Sequence, residues 1–111
     1  MIFITGPMFS GKKEVACTIL GCTKKELHER AIWEVQNLAA GCADLEGLAD
    51  RLAAKELVIA AETGAGIVPA DPDERAARES AGHLACMLAE RADVVVRVFC
   101  GIPTVIKGEL K

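Results

Sequence analysis

The residues best suited to chemistry lie near the N-terminus, where positions 6–13 read Gly-Pro-Met-Phe-Ser-Gly-Lys-Lys. Gly6, Gly11 and Lys12 match the Gly-x-x-x-x-Gly-Lys pattern of loops whose successive backbone N–H groups surround a phosphate. Lys12 adds a mobile charge, and a helix that begins there adds its positive N-terminal dipole. An apolar segment at residues 2–5 precedes the loop, as the pattern requires. The expected nucleotide-binding residues are Gly6, Pro7, Ser10, Gly11, Lys12 and Lys13.

Lys13 departs from this pattern. A Ser or Thr normally follows the lysine, and its hydroxyl binds the Mg²⁺ that accompanies the nucleotide. Lys13 can only donate hydrogen bonds and is positively charged, so it would repel Mg²⁺ but could itself neutralise phosphate. The structural alternative is a plain glycine turn before a helix. We favour a phosphate site that takes GTP or ATP, with Mg²⁺ as the metal that the pattern implies.

Glu62 is the second candidate, because it follows an apolar segment at 57–61 and opens a glycine-rich segment at 62–70. Ligands of parallel sheets bind at the carboxyl ends of the strands. There Glu62 could hold a metal or position water, and it could equally well cap the N–H groups of the loop. Lys12 and Glu62 are therefore the candidate catalytic residues.

The elements that must position these side chains follow from hydrophobic periodicity and capping residues. Strands are predicted at residues 2–5, 57–61 and 94–99, with a short edge strand at 103–107. Helices are predicted at residues 12–20, 24–40, 45–53 and 72–92. Strands separated by helices predict an α/β protein: a small three-layer P-loop-type domain with a mainly parallel sheet of three to four strands flanked by helices. Residues 1–111 are expected to form one domain.

Composition excludes several classes of function. The net charge of −3 is spread over both signs without a basic stripe, so a nucleic-acid partner is not expected. No apolar run reaches the roughly 18 residues that span a bilayer, and the N-terminus lacks a signal-peptide pattern. The five dispersed cysteines favour a reducing, cytoplasmic location.

Residues 62–69, Glu-Thr-Gly-Ala-Gly-Ile-Val-Pro, resemble a segment of the adenosylcobinamide kinase / adenosylcobinamide-phosphate guanylyltransferase family. The strand at 94–99 and the Gly-Ile-Pro turn at 101–103 are similar to the same family, and so are the first strand and loop. The resemblance covers about residues 1–20 and 57–107, with a weaker similarity around Trp33. It implies a homo-oligomeric enzyme of cobalamin biosynthesis. Such an enzyme phosphorylates adenosylcobinamide with a nucleoside triphosphate and then transfers GMP from GTP through a guanylylated histidine.

The family's central segment has no counterpart between Cys17 and Gly41. That segment normally contains two strands, the guanylylated histidine and an Asp-Cys pair. Neither His28 nor His83 has the family's histidine context, so we expect guanylyl transfer to be lost. A shortened nucleotide-binding kinase and a non-catalytic, degenerate module that binds a nucleotide or a corrinoid both remain open. A small P-loop remnant that serves only oligomerisation is a weaker third hypothesis.

Overall fold

A computed structural model of the chain describes residues 1–62 and 70–110. Within these ranges the elements follow the order β1 (Ile2–Gly6), α1 (Lys12–Leu20), α2 (Lys24–Arg30), β2 (Ala31–Ile32), α3 (Gln36–Ala39), α4 (Leu45–Ala53), β3 (Leu57–Ala61), α5 (Pro72–Arg91), β4 (Val94–Phe99) and β5 (Ile102–Lys107). No helix in this part of the chain is both long and apolar enough to cross a membrane.

The five strands form one sheet in the order β2-β3-β1-β4-β5. β1 lies at the centre and pairs in parallel with β3 and β4, while β5 runs antiparallel to β4. Central strands covered on both faces read as continuous apolar segments, which explains the sequence of β3 and most of β4. The mainly parallel sheet is confirmed, and it contains five strands where three to four were expected.

Helices cover both faces of the sheet. Phe3 packs in a cluster with side chains of α3, α4 and α5, whereas Ile4 packs with side chains of α1 and α2. Neighbouring residues of a strand point to opposite faces of the sheet. Phe3 and Ile4 therefore lie in two separate core clusters, one on each face. The predicted three-layer α/β architecture is confirmed.

The expected helix over residues 24–40 is wrong. α2 ends at Arg30, Ala31–Ile32 forms strand β2, and α3 covers only Gln36–Ala39. β2 pairs in parallel with the first residues of β3 and so covers an edge that would otherwise be unpaired. Glu34 has a φ of 56°, which a continuous right-handed helix does not allow. Tertiary pairing therefore overrides the helical spacing of this segment.

Capping residues mark the helix starts as predicted. The Thr23 hydroxyl accepts a hydrogen bond from Glu26 N at 3.2 Å, and the Glu26 carboxylate accepts one from Thr23 N at 3.2 Å. Asp44 accepts from Gly47 N at 3.0 Å at the start of α4. Each contact satisfies an N–H group that has no partner within its helix.

Candidate functional site

The loop between β1 and α1 begins at a position that only glycine fits. A Cβ on Gly6 would lie 2.2 Å from the carbonyl oxygen of Val98 in β4. Gly6 O accepts a hydrogen bond from Glu62 N at 2.8 Å, which ties the start of the loop to the end of β3. Farther along, Ser10 O accepts from Gly101 N at 2.7 Å. The loop is thus held by the ends of β3 and β4, the strands on either side of β1.

Ser10 contains an unusual buried polar group. Its residue is 7 % exposed, and its Oγ has no hydrogen-bond partner among the described residues. A buried hydroxyl without a partner costs roughly 1–3 kcal/mol, so most native structures avoid one. Ser10 also lines a cleft beside the loop, where a ligand oxygen could serve its hydroxyl.

Lys12 folds back on the loop. Its Nζ donates a hydrogen bond to Pro7 O at 2.6 Å. Partial burial lowers the pKa of Lys12 below its ordinary value of 10.5, and the carboxylates of Glu62 and Glu34 act in the opposite direction. The ammonium is therefore partly desolvated, and an anion that replaced the Pro7 carbonyl would interact with it strongly.

Lys13 makes a different contact. Its Nζ lies 4.7 Å from the centroid of the Trp33 ring, as in cation–π pairs. His28 approaches the same ring edge-on, with centroids 4.4 Å apart. Lys13 and Trp33 both line the cleft. The ammonium of Lys13 thus contacts an aromatic ring and is not paired with a carboxylate among the described residues.

Glu62 follows β3 and is bound by Arg97 of β4. Arg97 Nε donates to Glu62 Oε1 at 2.6 Å and Nη2 donates to Oε2 at 3.0 Å. Hydrogen bonding from Arg97 is the main cause that lowers the pKa of Glu62, with Lys12 as a smaller one. Both carboxylate oxygens of Glu62 are therefore engaged by a guanidinium.

The cleft has a volume of about 440 Å³. Its polar wall is the loop and the start of α1, and its other wall comes from the ends of β2 and β3. Among the described residues it is lined by Met8, Phe9, Ser10, Gly11, Lys12, Lys13, Glu14, Trp33, Glu34, Ile59 and Ala61. A site between a helix N-terminus and the carboxyl ends of parallel strands is where anionic ligands bind in α/β sheets.

The donors around this cleft fit a divalent metal poorly. Lys13 replaces the hydroxyl that would coordinate Mg²⁺, and Glu62 is bound by Arg97. Within residues 1–62 and 70–110, no three His, Cys, Asp or Glu side chains are grouped so that they could hold a metal ion. Glu34 also lines the cleft, and its carboxylate acts to raise the pKa of Lys12.

The expected nucleotide-binding residues lie together, as their short spacing requires. Ser10, Gly11, Lys12 and Lys13 line the cleft, whereas Gly6, Pro7 and Glu62 are not among its described lining residues. The remainder of the Gly-rich segment, residues 63–69, lies outside the described residues.

Sequence reasoning missed Glu34 and the partner of Glu62. Arg97 could have been found, because a lone arginine inside the apolar strand Val-Val-Val-Arg-Val-Phe needs a carboxylate nearby. Glu34 had no such indication, since its position follows from the unexpected strand β2.

The fold is that of a small three-layer α/β domain, consistent with the P-loop type. Residues 19–106 match the family model described as cobinamide kinase / cobinamide phosphate guanyltransferase, and the chain belongs to that family. The resemblance in the sequence is thereby confirmed. The match includes residues 21–56, where the sequence showed only a weak similarity, and it begins after the loop.

The family assignment therefore does not depend on the Gly6–Lys12 pattern. The family belongs to cobalamin biosynthesis, and its members are kinases and transferases that use nucleoside triphosphates and cobinamide substrates. No curated protein matches the chain.

Proposed function

We propose that the loop of residues 6–13 binds the phosphates of GTP or ATP, and that the protein is a nucleotide-dependent kinase acting on adenosylcobinamide. One observation supports this proposal above the others. The hydroxyl of Ser10 is buried without a partner in the described chain, next to a partly desolvated lysine and a helix N-terminus. An anion would give the Ser10 hydroxyl a hydrogen-bond partner, and it would interact favourably with the ammonium of Lys12 and with the helix N-terminus.

Lys12 is the catalytic cation in this proposal. Phosphoryl transfer is catalysed chiefly by positioning and by neutralising charge on the phosphoryl oxygens, and a mobile ammonium does both. The backbone N–H groups of the loop would hold the other phosphates.

Glu62 was expected to be catalytic, and we propose that it acts through Lys12. Its carboxylate is held by Arg97 and raises the pKa of Lys12, which opposes the effect of burial. Glu62 would then keep the lysine protonated for phosphate binding without itself touching the substrate. A direct role with a metal or water would first require the Arg97 contact to open.

Guanylyl transfer is lost in this proposal. His28 is exposed on α2 and contacts the Trp33 ring edge-on, while His83 lies on α5 with Nε2 3.9 Å from a Glu79 carboxylate oxygen. Neither histidine is among the described residues that line the cleft. The chain would then perform the kinase step alone.

The alternative is a non-catalytic module that binds a nucleotide or a corrinoid. One observation favours it: the hydroxyl that coordinates Mg²⁺ in active P-loop kinases is replaced by Lys13. Phosphorylation of cobinamide in the presence of GTP or ATP distinguishes the two, since the module would bind without turnover.

We further propose that the protein works as a homo-oligomer in the cytoplasm. β5 is an edge strand, and all of its residues are exposed, including the apolar Ile102 and Ile106. Unpaired edges of this kind readily add a strand from another chain. The five cysteines, all free, suit a reducing compartment.

Calorimetric titration with GTP and ATP tests the proposal. We expect Lys12→Ala to weaken binding about tenfold or more, as the loss of a charged hydrogen bond predicts. Lys25→Ala removes an equal charge from the exposed face of α2 and should leave binding unchanged. Equal affinities of the unmodified protein and Lys12→Ala would overturn the proposal.

A further inference from the structure

We propose that Lys13 takes over the charge-neutralising part that Mg²⁺ plays in related loops, so that this site binds a nucleoside triphosphate without a divalent metal. The inference rests on the proposed phosphate site and adds to it whether the ligand binds with or without a divalent metal. Failure of this inference can be distinguished from failure of the phosphate site, because phosphate binding and its metal dependence are measured independently.

The position of Lys13 supplies the first argument. It follows Lys12 directly in the first turn of α1, and both side chains line the same cleft. Two lysines at one helix N-terminus therefore border the same cleft. Each is a donor to phosphate oxygens, and together they repel a divalent cation.

The contacts of Lys13 supply the second argument. Its neighbour Glu14 is already paired with Lys24 at 3.0 Å. Among the described residues, Lys13 makes no ion pair, and its charged end lies over the Trp33 ring. A cation–π contact at an exposed site is weak compared with a charge-assisted hydrogen bond to phosphate. Lys13 can therefore leave Trp33 for a phosphate at little cost.

The acidic residues supply the third argument. A site built for Mg²⁺ usually offers a carboxylate to the metal or to its waters. Here both oxygens of Glu62 accept hydrogen bonds from Arg97. Glu34 remains, but its carboxylate acts on Lys12 from the same cleft. The side chains thus favour an anion alone over an anion with its metal.

Trp33 makes the movement of Lys13 observable. It is the single tryptophan of the chain, so its fluorescence reports on this cleft alone. Departure of the ammonium from the ring would change the emission when phosphate binds. Lys13→Met should lack this contact from the start and therefore show a smaller change.

The experiment titrates ATP and inorganic tripolyphosphate into the protein, with EDTA and with Mg²⁺, by calorimetry and by Trp33 emission. We expect the affinities of the unmodified protein to agree within about threefold in the two buffers. Lys13→Ser restores the usual hydroxyl and should bind at least tenfold more weakly in EDTA than in Mg²⁺. Lys13→Arg keeps the charge and should retain metal-independent binding. Circular dichroism checks that the variants are folded.

Three results would overturn these ideas: two of them refute the role of Lys13, and one refutes the phosphate site. If Mg²⁺ raises the affinity of the unmodified protein tenfold or more, the role of Lys13 is refuted and the phosphate site remains. Absence of binding by the unmodified protein and by Lys13→Ser in both buffers refutes the phosphate site itself. Metal-independent binding that is unchanged in Lys13→Met also removes Lys13 from the explanation.

Discussion

Glu62 and Arg97 form a two-point ion pair that crosses the carboxyl end of β1, with N–O distances of 2.6 and 3.0 Å. Glu62 follows β3 and Arg97 lies on β4, directly opposite Thr5 of β1. The pair thus joins the two strands that flank the start of the loop between β1 and α1. Its position explains how a charged side chain is accommodated within an otherwise apolar strand.

The first prediction concerns this pair. Glu62→Gln should lower the midpoint of urea unfolding at pH 7, because the Arg97 guanidinium loses its anionic partner. The pair holds the pKa of Glu62 below its usual 4.5, so its stabilising effect is complete above that pH. The effect is lost as the pH falls through the lowered pKa of the folded protein. Urea unfolding between pH 7 and pH 3 measures this.

A matched control is Glu29→Gln on the exposed surface of α2, where no ion pair of Glu29 is found within the described chain. Its unfolding midpoint should stay close to that of the unmodified protein at every pH. A constant difference between Glu62→Gln and the unmodified protein down to pH 3 would contradict the electrostatic explanation.

The second prediction compares two glycines. Gly6→Ala should destabilise the protein by about 2 kcal/mol or more, because its Cβ would lie 2.2 Å from the rigid Val98 carbonyl oxygen. Gly82→Ala lies inside α5, where the new Cβ would have no atom of the described residues within 4 Å apart from the helix's own backbone. It should stabilise by roughly 0.5–1 kcal/mol, through helix propensity. Thermal unfolding of both variants measures the contrast, and a stable Gly6→Ala would refute the close approach.

Much of this architecture follows from local sequence. Strands β1, β3 and β4 are short apolar runs bounded by turn residues, and α4 and α5 begin at aspartates that cap them. These features are decided by nearby residues, so the sequence predicts them well. The loop of residues 6–13 is also predictable from local sequence, because the strand, the glycines and the lysine follow one another directly.

The segment around Trp33 could not be predicted in this way. Leu27 and Val35 have helical spacing, and no glycine or proline interrupts residues 30–40. What ends α2 is the free edge of β3, some 25 residues later in the sequence, together with Arg30, whose guanidinium binds Glu56 and Leu20 O. Such long-range pairing cannot be recognised from the local sequence. For the same reason the sequence did not predict that Glu34 and Trp33 line the cleft.

The third prediction concerns Ser10. Ser10→Ala should raise the free energy of unfolding, because it removes a buried hydroxyl that has no partner in the described chain. The same change should weaken tripolyphosphate binding several-fold, since the ligand loses a donor. Opposite signs for stability and affinity are the expected signature, measured by urea unfolding and calorimetry. If affinity were unchanged while stability rose, the hydroxyl would have no part in binding.

The fourth prediction concerns pH. Burial lowers the pKa of Lys12 below 10.5, so Lys12 loses its proton at a lower pH than an exposed lysine. Phosphate affinity should therefore fall as the pH rises through this lowered pKa, by up to about tenfold per pH unit for one proton. Lys12→Arg keeps its charge and should move the loss of affinity to higher pH. Identical alkaline profiles for the two proteins would show that Lys12 is not the titrating group.

The last prediction concerns β5. Its outer edge pairs with no other strand in the described part of the chain, and Ile106 is 59 % exposed. If two copies join at this edge, a two-fold axis brings each β5 against the other, and Ile106→Lys places like charges close together. We expect light scattering to give a lower mass for Ile106→Lys than for the unmodified protein at equal concentration. Leu38→Lys on α3 is the control, because Leu38 is likewise an exposed apolar residue, at 45 %, but follows β2, which lies at the opposite end of the sheet from β5. A lower mass for Leu38→Lys with no change for Ile106→Lys would move the interface to the opposite side of the sheet, because α3 follows β2, the strand at the other edge.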